Sequence, residues 1–273
     1  MRVAAATLPH EAFNPSARSR PEYGVSQYSM FYQVDTIDFP RSFPNDVMHL
    51  IFQNVVPNWV RWWRGEFLKN NKDGREYVDE LMMPRPIWVD IGNDMECSLR
   101  SIPTSYGKSL QYIHKYHRSF KAQEWSNFLL HYSSVLLHGR LRQDLFEHYG
   151  KLVAAIDLAI DYEITTRNIR DIKRLLTDFV SDYEKLYYQY EEPRISACFA
   201  TFHLLLHLHE SISDCGPVWV FWQFPCERMY GMLKPMVKNR SKANRNLSLG
   251  ILYQEQFNNL PFATPSWKIP PSQ

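Results

Sequence analysis

Three successive stretches of this chain repeat their apolar residues at helical spacing, and that succession limits the fold more than any other feature. Trp125, Phe128, Leu129, Tyr132 and Leu136 mark one face of a helix over about 121–138. Leu145, Tyr149, Leu152, Ile156 and Ala159 mark a second over about 141–162. Ile172, Leu175, Phe179, Tyr183, Leu186 and Tyr190 mark a third from about 167 to 190, with Pro193 beyond it. Short connections between consecutive amphipathic helices make neighbours antiparallel, so the expected class is mainly α, an antiparallel helical bundle with at most minor β structure. Aromatic residues make up 15% of the chain against only 10 glycines, which favours bulky helix packing over a glycine-rich nucleotide fold.

Around this body the sequence divides into an irregular N-terminal arm (1–40), a helical domain (41–245) and a C-terminal tail (246–273). Pro44 with Asn45 or Asp46 opens a helix that Pro57 kinks or divides, and its Trp59, Trp62 and Trp63 are read as core rather than a base-stacking surface. NNKDG (70–74) is a turn, PRPIWVDIGND (84–94) a short helix or strand, and SIPTSYGKS (101–109) a loop. A fourth helix over about 195–213 is apolar nearly all round, which predicts burial. Gly216-Pro217 stops it, and the β-branched, aromatic run Val218–Trp222 reads as extended. Pro225 then suits the first position of another helix, with Glu227 in its first turn.

No apolar run approaches the 18 residues of a membrane span, the start lacks a signal-peptide pattern, and the four cysteines show no CxxC spacing. The expectation is a soluble intracellular protein with no membrane partner. Net charge is only +2, but Arg228, Lys234, Lys238, Arg240, Lys242 and Arg245 face Glu227 alone between 227 and 245, so that segment is locally basic. Such a run suits phosphate contact, or else is a solvated helix end.

His203 and His207 are i and i+4, and Asp46 and His49 are i and i+3, so each pair shares a helix face. Brought together, Asp46, His49, His203 and His207 would form a tetrahedral set for a structural zinc ion. The plainer reading is that these histidines hydrogen-bond each other, a carbonyl or Asp46. Cys198 and Cys226 are read as small buried residues rather than nucleophiles.

FPNDVMHLIFQNVVPNWVRWW, SIPTSYG, KAQEWSNFLLHY, YEKLYYQY and HLLLHLHESISDCGPVWVFWQFPCERMYGMLKPMVKNRS occur in that order. Their succession over about 22–255 resembles CACTA-type (En/Spm-like) transposases of the fungal kind. The last block is also similar to the C-terminal domain of plant members, with His-x-x-x-His, Gly-Pro-Val, Trp, Pro-x-Glu-Arg and basic Asn-Arg elements.

The resemblance implies a cut-and-paste DNA transposase of the DDE class, nuclear, acting on transposon ends and able to form homo-oligomers. Three carboxylates of such an enzyme hold two Mg or Mn ions for strand cleavage and transfer. Asp46-Val-Met-His49 matches the family's D/C-x-x-H motif, Glu227 matches the final acid, and the helices between correspond to the family's helical insertion. Arg228, Lys234, Lys238, Arg240, Lys242 and Arg245 would flank DNA. The family's first two catalytic aspartates should lie well upstream of D-x-x-H, yet only Asp35 and Asp38 precede Asp46. The expectation is therefore a truncated or domesticated transposase fragment, inactive alone, with Mg or Mn belonging only to an intact enzyme. Glu227 is equally suited to a capping or helix-dipole role, and a helical protein-interaction module is the alternative function.

Overall fold

The computed structural model describes residue 31 and residues 34–38, 41–66, 81–98 and 110–263, with side chains at 196, 240 and 261–263 left aside. The expected turn at 70–74, the loop at 101–109 and most of the arm at 1–40 lie outside the described residues. All regular structure in the described part is helical. It falls into two compact units, Met1–Trp222 and Gln223–Gln273.

The first unit is built on α1, in which a π-helical segment, Met48–Val55, runs directly into an α-helix, Val56–Trp63. Asp46 starts it, its carboxylate accepting the N–H groups of Met48 (3.2 Å) and His49 (3.1 Å), two donors that a helix start otherwise leaves unpaired. Pro57 does not divide the helix. Its missing N–H falls in the first turn of the α-helical part, after the wider register has ended with Val56 N–H bonded to the Ile51 carbonyl.

The tryptophans of α1 are core, as their spacing predicts. Trp59 is fully buried and is ringed by Trp63, His148, Phe179, Tyr183, Tyr187 and Phe202, with ring centroids 5.0 to 6.3 Å away. An indole removes about 200 Å² from water when buried, so this one residue ties four helices together. Trp63 Nε1–H donates to Tyr187 Oη at 3.2 Å, giving a buried polar atom its partner.

Following α1 come α2 (Arg85–Ser98) and α3, which joins Ala122–Asn127, a π-helical turn Phe128–Tyr132 and Ser133–Leu137. Helix α4 (Gln143–Ala159) and α5 (Thr166–Tyr183, continued by a π-helical turn Glu184–Tyr188) form the largest helix pair, antiparallel because only residues 160–165 connect them. Thr165 Oγ1 caps α5 by accepting the Asn168 N–H at 3.1 Å. The predicted face of α4 is buried at every position. On α5 the buried side chains are Ile172, Leu176, Phe179, Tyr183 and Tyr187, which corrects Leu175, Leu186 and Tyr190 by one residue or more.

The expected long buried helix over 195–213 is also corrected. It is two short helices, α6 (Ala200–Leu205) and α7 (Leu208–Cys215), preceded by a 3-10 segment Glu192–Ala197. Only one side is covered: Phe202, Leu205, Leu208 and Ile212 are buried, while His203 and Leu204 are exposed. Gly216, at φ +89, ends α7 as predicted. The Val218–Val220 run is a 3-10 turn rather than a strand, since Pro217 leads into it and Val220 N–H bonds back to the Pro217 carbonyl at 3.0 Å. Cys198 and Cys226 are exposed, not buried.

The second unit comprises α8 (Phe224–Leu233), two 3-10 turns (Lys234–Met236 and Arg240–Lys242) and α9 (Ala243–Ala263). Pro225 sits in the first turn of α8, as its position in the sequence implies. Asn246 Oδ1 accepts the Asn239 N–H at 2.9 Å, pinning the connection onto α9. Met236 lies so close to Gly250 that a Cβ there would meet its sulfur at 2.7 Å, so this glycine permits the close approach.

Candidate functional site

Two far-separated segments meet along a polar seam in the first unit. Asn45 N–H donates to Ser211 Oγ at 3.0 Å, and Arg41 forms a two-point ion pair with Asp214, its Nε at 2.8 Å from Oδ2. The paired guanidinium holds the Asp214 carboxyl below its ordinary range. Thus the entry of α1 lies against α7.

Within the seam the imidazoles divide into local pairs. His49 Nδ1 bonds Asp46, while His207 Nδ1 bonds Glu210 Oε2 at 3.0 Å. His203 and His207 rings approach to 5.2 Å at 70°, edge to face. His49 and His207 are each more than two-fifths exposed, so both imidazoles are open to solvent. Among the described residues no group of three or more His, Cys, Asp or Glu side chains is placed to hold a metal ion. Asp46, His49, His203 and His207 are thus not gathered as one set in this structure: Asp46 is engaged in capping α1 and His207 in pairing with Glu210.

The basic residues lie in the second unit. Arg228 is on α8, Lys234 and Lys238 follow it, and Lys242 and Arg245 stand at the start of α9. All five are exposed, as is Glu227 in the first turn of α8; the side chain of Arg240 lies outside the described residues. The unit holds only Glu227 and Glu255 as acids. Cations at the start of α9 add to the partial positive charge of that helix end, a combination that attracts phosphate.

A further cluster escaped the sequence reading. Glu66, just past α1, is held by Arg64 at 3.0 Å and Arg118 at 2.9 Å, with His117 at 3.5 Å. Burial pushes its carboxyl up, but the two arginines override that and bring it down to about 2. The dense run His114-Lys-Tyr-His117-Arg118 was the signal available in the sequence.

No family model, curated protein or solved structure matches the chain.

Proposed function

We propose that the chain is the C-terminal part of a CACTA-type DNA transposase, inactive in catalysis by itself and retaining DNA contact through the 228–245 segment. The observation that carries this reading is the exposure of Arg228, Lys234, Lys238, Lys242 and Arg245 around the start of α9, in a unit with two acids. Side chains so placed meet backbone phosphates and carry no sequence preference themselves. In this reading Glu227 is the family's final acid. Alone it cannot hold two divalent ions, so strand cleavage and transfer belong to an intact enzyme with Mg or Mn. The DNA partner would be a transposon end, and the location the nucleus. No helix among the described residues is long and apolar enough to cross a membrane.

The test is binding of the full chain to a labelled DNA duplex at low salt, beside a variant with Lys234, Lys238, Lys242 and Arg245 changed to Ala. Retention that is lost in the variant supports the proposal. Equal retention, or none by either protein, contradicts it.

One observation favours a second reading, a protein-interaction module. Met229, Tyr230 and Met232 on α8 are 53%, 63% and 52% exposed, more apolar surface than a short helix usually leaves in water. Self-association through α8 would appear as concentration-dependent sedimentation, abolished by Met229→Glu and Met232→Glu, with DNA absent.

A further inference from the structure

Arg64, at the end of α1, uses Nε on Glu66 and lays its guanidinium over Trp88, 5.4 Å from the ring centroid. Its Nη1 is buried and has no hydrogen-bond partner, and the same is true of Nδ1 in both His114 and His117. A guanidinium offers five N–H donors and an imidazole two nitrogens, so each of these groups has bonding capacity its neighbours do not fill. His117 as a whole is 7% exposed. Glu66, the carboxylate paired within the cluster, is already shared by Arg64, Arg118 and His117.

Positive charge exceeds negative here. His114 feels Arg64 and Arg85; His117 feels Arg64 and Arg118 against Glu66 alone. Burial first, and then Arg64, makes each imidazole harder to protonate than usual. Arg85, at the start of α2, and Arg118 are exposed and give an approach from solvent.

We propose that Arg64, Arg85, His114, His117 and Arg118 form a binding site for a phosphate-class oxyanion. Its oxygens supply the acceptors that Arg64 Nη1 lacks, and its charge makes protonation of the imidazoles favourable, so that each can donate to it. A tetrahedral oxyanion suits this set better than a carboxylate, because it presents acceptors to several donors arriving from different elements. The source is either free phosphate or a nucleic-acid backbone. The proposal stands apart from the 228–245 segment, which belongs to the other unit.

The experiment titrates the full chain, in chloride buffer at constant ionic strength, with inorganic phosphate and separately with a short DNA duplex. It follows the imidazole ¹⁵N signals of His114 and His117 together with heat of binding. Saturable phosphate binding that shifts both imidazoles, weakened about tenfold or more in Arg85→Ala and in Arg118→Ala, is expected. Both replaced side chains are exposed, so folding is retained, and unchanged melting verifies it. Perturbation by phosphate identifies a free anion as sufficient. Perturbation by duplex alone, surviving replacement of Lys234 and Lys238, identifies a backbone phosphate. No shift with either probe, or binding unaltered in both variants, overturns the proposal.

Discussion

The N–H of Asn45 donates to Ser211 Oγ across 166 positions of sequence, at 3.0 Å. That bond, with Trp59 stacked on Phe202 at 5.2 Å and 19°, fastens the start of the helical body to the α6–α7 segment near its end. Polar contact aligns the seam and aromatic burial holds it, because a single neutral hydrogen bond adds only about 1 kcal/mol while a buried indole adds several.

Replacing Ser211 by Ala strands the Asn45 N–H in a partly buried place. The expected loss is about 1 kcal/mol, measured as a lower urea midpoint with an unchanged m value. A midpoint equal to the wild type would show that the bond contributes nothing.

Trp59→Ala empties the centre of the aromatic cluster and is expected to cost about 3–5 kcal/mol, enough to unfold a marginal domain. Trp59→Phe keeps part of the stacking with Phe179 and Phe202 and should cost clearly less. Equal losses for the two, seen by chemical denaturation, would rule out ring packing as the source.

Buried His148 makes stability depend on pH. Its Nε2–H donates to the Phe179 carbonyl at 2.8 Å, its ring stacks on Phe179 at 4.5 Å, and Nδ1 has no partner. Burial lowers its pKa to about 4, against about 6.5 when unfolded. The unfolded chain therefore takes up the proton first. The contribution is whole above pH 6.5 and declines as pH falls toward 4, by up to about 3 kcal/mol. His148→Phe should flatten that part of the stability profile; His114 and His117, lowered in the same direction, remain in both proteins and cancel in the comparison. A profile as steep as the wild type's would refute the assignment.

What the sequence disclosed follows from where period and burial agree. Leu145, Tyr149, Leu152, Ile156 and Ala159 lie on a regular helix with one covered side, so spacing alone found them. On α5, adjacent Leu175 and Leu176 both satisfy a 3.6 period, and the π-helical turn at Glu184–Tyr188 changes the phase, so Tyr187 rather than Leu186 is buried. The break between Leu205 and Leu208 carries no glycine or proline, and nothing in its composition announces it. At the seam, Pro44 with Asn45 or Asp46 already marked the helix start that Asp46 caps, but nothing in the pattern showed that His207 turns to Glu210, because a side-chain partner three residues away competes with distant ones and costs less ordering to reach. The Glu66 cluster joins Arg64 and Glu66 to His117 and Arg118, about 50 positions away, so no periodic pattern could show it.

Asp46 acts on stability as a helix cap. Asp46→Ala should cost about 1 kcal/mol and Asp46→Asn less, since the single amide oxygen still accepts one of the two N–H groups that the two carboxylate oxygens accept from Met48 and His49. Chelating divalent metals from protein without added histidines should leave melting unchanged. A chelator-induced loss of stability, reversed by zinc and absent in His203→Ala, would restore a metal role for these histidines.

The salt dependence of DNA binding reaches furthest into the account, because it counts the phosphates that the 228–245 segment engages. With five exposed cations taking part, log K for duplex DNA is predicted to fall with log salt at a slope of about −4, and the slope should flatten by about 1 for each Lys or Arg replaced. A slope near zero, or one that the replacements leave unchanged, would contradict DNA contact by this segment.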